Sequence, residues 1–372
     1  MPRIDAFLKL GTAQGCSDIH LAVGVPPMLR MNGDLMPIRF RNLGDSELEG
    51  YVGEILTKKQ GEQFRTGHDL DFSYVAEDGG RFRVNVFRKE TGVGAVFRAI
   101  PSNVPTLDSL NLPPVVKRLL DFHQGMILVT GSTGTGKSTT LAAMIGYRNH
   151  NSYGHIITIE DPVEYVHEHR NCVITQREVG VDTDSWEIAL KNTLRQAPDV
   201  ILIGEIRDKD VMEHAIAFAE TGHLAMGTLH ANNANQAIDR IINFFPEERR
   251  PQLLMDLSLN LKAVVSQRLI PLKEGKGRAA AVEVLLNSPL IADLIFKGEI
   301  HGIKEIMKKS KELGMKTFDM ALFDLFEEGR ISYDDALRFA DSMNEVRLMI
   351  KLHSKQSQEM DRNAGIQHLD IV

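Results

Sequence analysis

The sequence predicts an α/β protein: an open parallel sheet forms the core, a smaller α/β domain precedes it, and a helical region follows. Three observations carry that prediction. Short, almost wholly apolar runs at 126–130, 156–159, Val200–Ile203 and Leu224–Leu229 read as buried parallel strands separated by helical patterns. Ahead of them, 81–88 (RFRVNVFR) alternates with period two and 94–100 reads as a further strand. Between the two patterns, residues 101–114 hold four prolines, Pro101, Pro105, Pro113 and Pro114, a composition suited to a linker.

The elements follow in order. Residues 1–100 form the amino-terminal domain, in which Pro26-Pro27 and an Asn32-Gly33-Asp34 turn punctuate two short strands. The linker spans 101–114, the core 115–288 and the helical carboxyl-terminal region 289–352. In that last region Ser332-x-x-Asp335 is an N-terminal capping signal, and the amphipathic run 336–352 reads as the last ordered helix. The tail 353–372 is polar and expected to fray.

Composition narrows the class. A chain of 372 residues exceeds one typical core, and 43% apolar with 25% charged residues is ordinary globular composition. The net charge of −7 argues against a dedicated nucleic-acid binder, which needs a basic face. Cys16 and Cys172 lack metal-ligand spacing and suggest a reducing compartment. The first fifteen residues are amphipathic rather than a signal peptide, and no apolar run reaches the ~18 residues that a membrane span needs. A cytoplasmic protein is expected.

Chemistry enters at 131–138. Gly131-Ser132-Thr133-Gly134-Thr135-Gly136-Lys137-Ser138 fits G-x-x-x-x-G-K-[ST] and sits between an apolar strand and a helix. Glycines there let backbone N–H groups converge on an anion at the helix's positive end. Lys137 adds a point charge for the β- and γ-phosphates, and the Ser138 hydroxyl is a Mg²⁺ ligand. The pattern predicts a bound nucleoside triphosphate.

Hydrolysis needs carboxylates as well. Glu205 follows the Val200–Ile203 strand, where a Mg²⁺-linked acid is expected; one methylene longer than the usual Asp, it is suited to acting through water. Glu160-Asp161-Pro162-Val163-Glu164 follows the 156–159 strand, and one of its two glutamates is the general-base candidate. His223 and His230 lie one at each end of the Leu224–Leu229 strand. That separation makes them poor partners for one metal ion and leaves hydrogen bonding to phosphate, or across a subunit contact, as their roles.

Together these motifs resemble the secretion-type hexameric ATPases and, within them, the type IV pilus retraction (PilT/PilU) family. The matching stretches are GSTGTGKST (131–139), TIEDPVEYVHE (158–168), VILIGEIRD (200–208) and TGHLAMGTLHANNA (221–234). SDIHL (17–21) and RFRVNVFR (81–88) match too, so the resemblance covers residues 1 to about 350. The wording of 171–208 and 231–250 is nearer the PilU branch than the PilT branch.

The resemblance implies a PAS-like amino-terminal domain and a RecA-like motor core, assembled as a homohexamer that hydrolyses ATP with Mg²⁺. It gives phosphate-binding roles to the loop residues from Gly131 to Ser138 and to Thr139, and Mg²⁺ roles to Ser138 and Glu205, the latter directly or through water. It makes Glu164 the catalytic glutamate, Glu205 the second Walker acid, and His223 and His230 the histidine-box pair. Arg83 and Arg98 fall where the family places arginines facing the γ-phosphate; as residues fifteen apart they share a target only if their strands are adjacent. The implied partners are further copies of the chain, a paralogous retraction ATPase and an inner-membrane pilus platform protein.

The implied activity is powering or assisting pilus retraction and twitching motility. An accessory subunit dependent on a paralogous motor is the alternative. A pilus extension or type II secretion ATPase fits less well, because such proteins carry extra amino-terminal domains and often a four-cysteine zinc site, which two cysteines cannot make. The stretch 291–310 is more charged than the retraction motors' usual helical motif, and the tail after 353 matches no family motif.

Overall fold

The computed structural model describes residues 2–31, 34–101, 103–275 and 277–354. Two compact units emerge. The first holds the described residues up to Val104 together with Pro162–Val166; the second holds Pro105–Asp161 and the described residues from His167 onward.

In the first unit six strands form one antiparallel sheet: β1 Asp18–Ala22, β2 Met28–Met31, β3 Asp34–Pro37, β4 Asp69–Val75, β5 Arg81–Lys89 and β6 Gly92–Ile100. Their order is β3-β2-β1-β6-β5-β4. The alternation read from 81–88 is real: Phe82, Val84 and Val86 are buried, and they join Leu8 of helix Asp5–Ala13 and Leu48 and Val52 of helix Asp45–Ile55 in one core. Arg83 therefore stands on the other face. The turn expected at Asn32-Gly33-Asp34 falls partly outside the described residues.

The second unit holds β7 Gly125–Thr130, β8 Gly154–Glu160, β9 Cys172–Glu178, β10 Val200–Ile203, β11 Leu224–Leu229, β12 Leu261–Pro271 and β13 Arg278–Leu286. They form a seven-stranded sheet in the order β13-β12-β7-β11-β10-β8-β9. Every neighbour is parallel except β12 and β13, which pair antiparallel. The continuous apolar runs now have their reason. Met126 and Leu128 of β7 join one apolar cluster, while Ile127 and Val129 join another. Both faces of the sheet are covered, so each aliphatic side chain contributes about 1.5–3 kcal/mol whichever way it points.

Helices Pro289–Lys297, Ile303–Lys309, Phe318–Glu327, Tyr333–Arg338 and Met343–His353 follow. Ser332 caps the fourth as its sequence signal predicts, accepting from the Asp335 N–H. The single helix expected over 336–352 is instead two. The break has a cause: Ser342 starts a new helix by accepting from the Glu345 N–H, and the Asp319 carboxylate accepts the backbone N–H groups of Asp341 and Ser342. Of the stretch expected to fray, His353 closes the last helix and Ser354 is buried. The remainder, 355–372, lies outside the described residues.

Candidate active site

Four of the sequence motifs meet at one edge of the parallel sheet. β7, β11, β10 and β8 are consecutive neighbours, with Thr130 opposite Leu229 and Ile203 opposite both Gly227 and Ile159. The segments that leave their carboxyl ends are the phosphate loop, His230, Gly204-Glu205 and Asp161. This is where ligands of open α/β sheets bind.

The phosphate loop turns directly into helix Lys137–Asn151, with Gly136 as its N-cap at φ 90°. Gly131 lies at φ 152°, and a Cβ there would come within 2.4 Å of the Thr135 hydroxyl and 2.7 Å of the Gln267 carbonyl. Only glycine fits. The Lys137 ammonium, nearly buried, donates to the carbonyls of Gly131 at 3.0 Å and Ser132 at 2.9 Å, so the loop itself positions the charge. Thr135 donates to the Ser132 carbonyl at 2.8 Å. Thr133, Gly134, Ser138 and Thr139 complete the segment that the sequence assigned to phosphate.

Glu205 is held on both oxygens. Arg207 Nε donates to one at 2.8 Å, and His230 Nε2 lies 3.3 Å from the other. Arg207 also approaches Asp161 at 3.7 Å. Burial, then the Lys137 charge, push the His230 pKa below the ordinary imidazole value, and Glu205 only partly opposes them. The shift favours the neutral imidazole, which makes His230 a hydrogen-bonding partner for Glu205. Gly204 allows the close approach of β10 to β8, since a Cβ would sit 3.1 Å from the Glu160 Cα. Glu160 itself accepts from Thr158 at 2.6 Å and from Gln176 at 3.2 Å.

His223 lies apart. β11 is parallel to β7, and Leu224 is opposite Gly125 at the start of both strands, so His223 sits at the sheet edge remote from the phosphate loop. Its Nδ1 is 3.0 Å from the Thr221 hydroxyl and 3.2 Å from the Phe218 carbonyl.

The first unit carries the remaining candidates. Arg83 of β5 and Arg98 of β6 are direct cross-strand partners, which supplies the adjacency that a shared target requires. The same register runs across the sheet, Arg30 to Asp18 to Arg98 to Arg83, so one aspartate stands among three arginines on one face. Asp18 is buried and accepts from Arg98 Nε at 2.8 Å and from the Ser17 hydroxyl at 2.8 Å. Burial alone would raise its pKa, but the hydrogen bonds from Arg98 and Ser17 hold the carboxyl below its usual range. Arg83 and Arg98 also border a cavity of 220 Å³ with Pro162 and Glu164, all within this unit. Glu164 is exposed there, and the adjacent Val163 is buried.

Sequence reasoning missed Asp18 as an anchor, and it missed Asn232, whose side-chain carbonyl accepts from the Ser132 hydroxyl at 3.2 Å. Both stood inside quoted motifs, SDIHL (17–21) and TGHLAMGTLHANNA (221–234), but nothing in their spacing marked them.

Comparison with known proteins now bears on the fold and its edge. Residues 69–321 match the family model described as Type II/IV secretion system protein. The chain is 55% identical over 351 residues to the type IV pilus ATPase PilU of Pseudomonas aeruginosa, covering 94% of this chain and 92% of that one. It belongs to the PilT/PilU family of type IV pilus ATPases. Within that family it is also 43% identical to the Pseudomonas aeruginosa pilus retraction ATPase PilT, covering 90% and 96% of the two chains. The solved structure of the pilus retraction motor PilT with bound ADP superimposes with a TM-score of 0.88 at 38% identity, covering 93% of this chain and 99% of that one. The α/β fold, its parallel sheet and its helical carboxyl-terminal region are thus those of a PilT/PilU-family protein. Among the described residues no helix is long and apolar enough to cross a membrane.

Proposed function

We propose that this chain is the ATP-hydrolysing subunit of a homohexameric motor that powers or assists type IV pilus retraction. The observation that supports the reading best is the single sheet edge where Lys137, Glu205 and His230 gather around the phosphate loop, in a member of the PilT/PilU family. Loop N–H groups and Lys137 hold the β- and γ-phosphates, the ammonium exchanging its two carbonyl partners for phosphate oxygens. Glu164 takes the proton of the attacking water, and Arg83 and Arg98 balance charge on the γ-phosphate.

Magnesium fits the donors present. Among the described residues no cluster of three or more His, Cys, Asp or Glu could hold a metal alone. Mg²⁺ characteristically takes one or two protein ligands plus phosphate oxygens and water, which matches Ser138 and a Glu205 already engaged by Arg207 and His230. When bound it would neutralise charge between the β- and γ-phosphates. In this reading the proline-rich stretch 101–114 is the hinge between amino-terminal domain 1–100 and core 115–288. The motor works at the cytoplasmic side of the inner membrane with the pilus platform protein.

A second reading, an accessory ATPase that depends on a paralogue, is favoured by the higher identity to PilU than to PilT. ATP hydrolysis by the purified chain, alone and mixed with its paralogue, separates the two. An autonomous motor turns over alone; an accessory subunit gains turnover on mixing. A chain that hydrolyses no ATP in either case sinks both readings.

A further inference from the structure

The turn after His230 is gripped from the far end of the chain. Asn232 bonds the phosphate loop through Ser132, and its own backbone carbonyl accepts from Arg268 at 3.1 Å. Asn233 caps helix Ala234–Phe244 by accepting from the Gln236 N–H at 2.9 Å, while its amide donates to Asp341 at 3.0 Å. Arg268 donates to the other Asp341 oxygen at 2.5 Å and to the Phe339 carbonyl at 2.6 Å, and its guanidinium lies 4.0 Å from the Phe318 ring centroid. Lys304 completes the set on Asp341. One largely buried carboxylate thus holds both groups that fix the 232–233 turn.

We propose that Asp341 is a positioning residue for the nucleotide site: through Asn233 and Arg268 it holds the 230–233 turn in register with the phosphate loop. The inference rests on the ATPase reading of that loop. Asp341 lies in the break between the last two helices, and Asp319 fixes its backbone. The break therefore has a use: a continuous helix would not offer this carboxylate with its backbone so anchored. Charge-assisted bonds to a shielded carboxylate are short and directional, so they set position rather than merely add stability. Lys304 differs from the other two donors, because it grips Asp341 and not the turn.

The test compares Asp341→Asn, Lys304→Met and the double variant in the full chain, by hydrogen exchange of the segment 228–240 and by steady-state ATP hydrolysis. Asp341→Asn is expected to speed amide exchange in that segment at least about fivefold, and to lower kcat about tenfold while KM changes less than about twofold. Lys304→Met is expected to change neither by more than about twofold, and the double variant to stay as impaired as Asp341→Asn. Restored turnover in the double variant would overturn the proposal, because charge balance rather than position would then be the role. Unchanged exchange in a folded Asp341→Asn chain overturns it too. Faster exchange in that variant, beside a wild type that neither binds nor hydrolyses ATP, would support the grip and count against the nucleotide reading instead.

Discussion

The two regions that hold the catalytic candidates manage charge in opposite ways. At the sheet edge of the second unit the key groups are satisfied by the fold: Lys137 rests on two loop carbonyls, and Glu205 lies between Arg207 and His230. On the sheet face of the first unit, three arginines share a row with one aspartate, and Arg83 stands directly opposite Arg98. Like charges directly opposite across strands disfavour folding, and an anion between them removes that cost. The first region is a finished cradle. The second is a cationic surface, which under the proposed function meets charge that develops on the γ-phosphate.

The largest expected effect lies at the glutamates. Glu164→Gln should bind ATP yet hydrolyse it about a thousandfold more slowly, within the range a positioned general base supplies. Glu160, already engaged by Thr158 and Gln176, should tolerate the same change with less than about a tenfold loss. Single-turnover assays on both variants decide; a reversed ranking breaks the assignment of the base to the first unit.

Next comes pH, where two buried carboxylates oppose each other. Glu283 in β13 is wholly buried and accepts from the Ala234 and Phe318 N–H groups; burial raises its pKa from 4.5 to about 7. The folded chain then binds more protons than the unfolded chain between these values, so Glu283 makes stability fall as pH rises from about 4.5 to about 7, by about 3 kcal/mol at most. Asp18 has the opposite sign: its lowered pKa contributes stability at neutral pH that is lost as pH falls through the acidic range. Denaturant melts at pH 2.5, pH 5 and pH 8 should show Glu283→Gln flattening the slope between pH 5 and 8, and Asp18→Asn flattening the one below pH 5. An unaltered neutral slope in Glu283→Gln would contradict this account.

A smaller effect separates function from stability at Arg83. Arg83→Gln should lower turnover roughly thirtyfold, about 2 kcal/mol for one charge-assisted contact. Removing the like-charge pair should also raise unfolding stability by several tenths of a kcal/mol. Loss of both activity and stability would mark Arg83 as structural.

The sequence displayed the second unit's edge more openly than the first unit's face. Strands β7, β8, β10 and β11 announced themselves because burial on two faces makes them uniformly apolar, and the motifs sit at their ends. β9, β12 and β13 went unread. β9 is an edge strand of mixed polarity, and β12 carries Lys262, Ser266, Gln267 and Arg268 among its apolar residues. The pairing of Arg83 with Arg98 depends on hairpin register, which separation in the chain does not reveal. Asp18, Asn232 and Asp341 act through long-range hydrogen bonds, for which no local pattern exists. The break at Asp341 was hidden because amphipathic spacing continues across it, and the Asp319 carboxylate that helps the Ser342 cap to turn the chain is distant in sequence.

The most direct measurement is ATP hydrolysis by purified Lys137→Ala beside wild type, with circular dichroism confirming the fold. A cradle that positions its lysine on two carbonyls predicts native-like structure and a loss of about a thousandfold or more. A well-folded variant that turns over ATP at the wild-type rate would contradict the account.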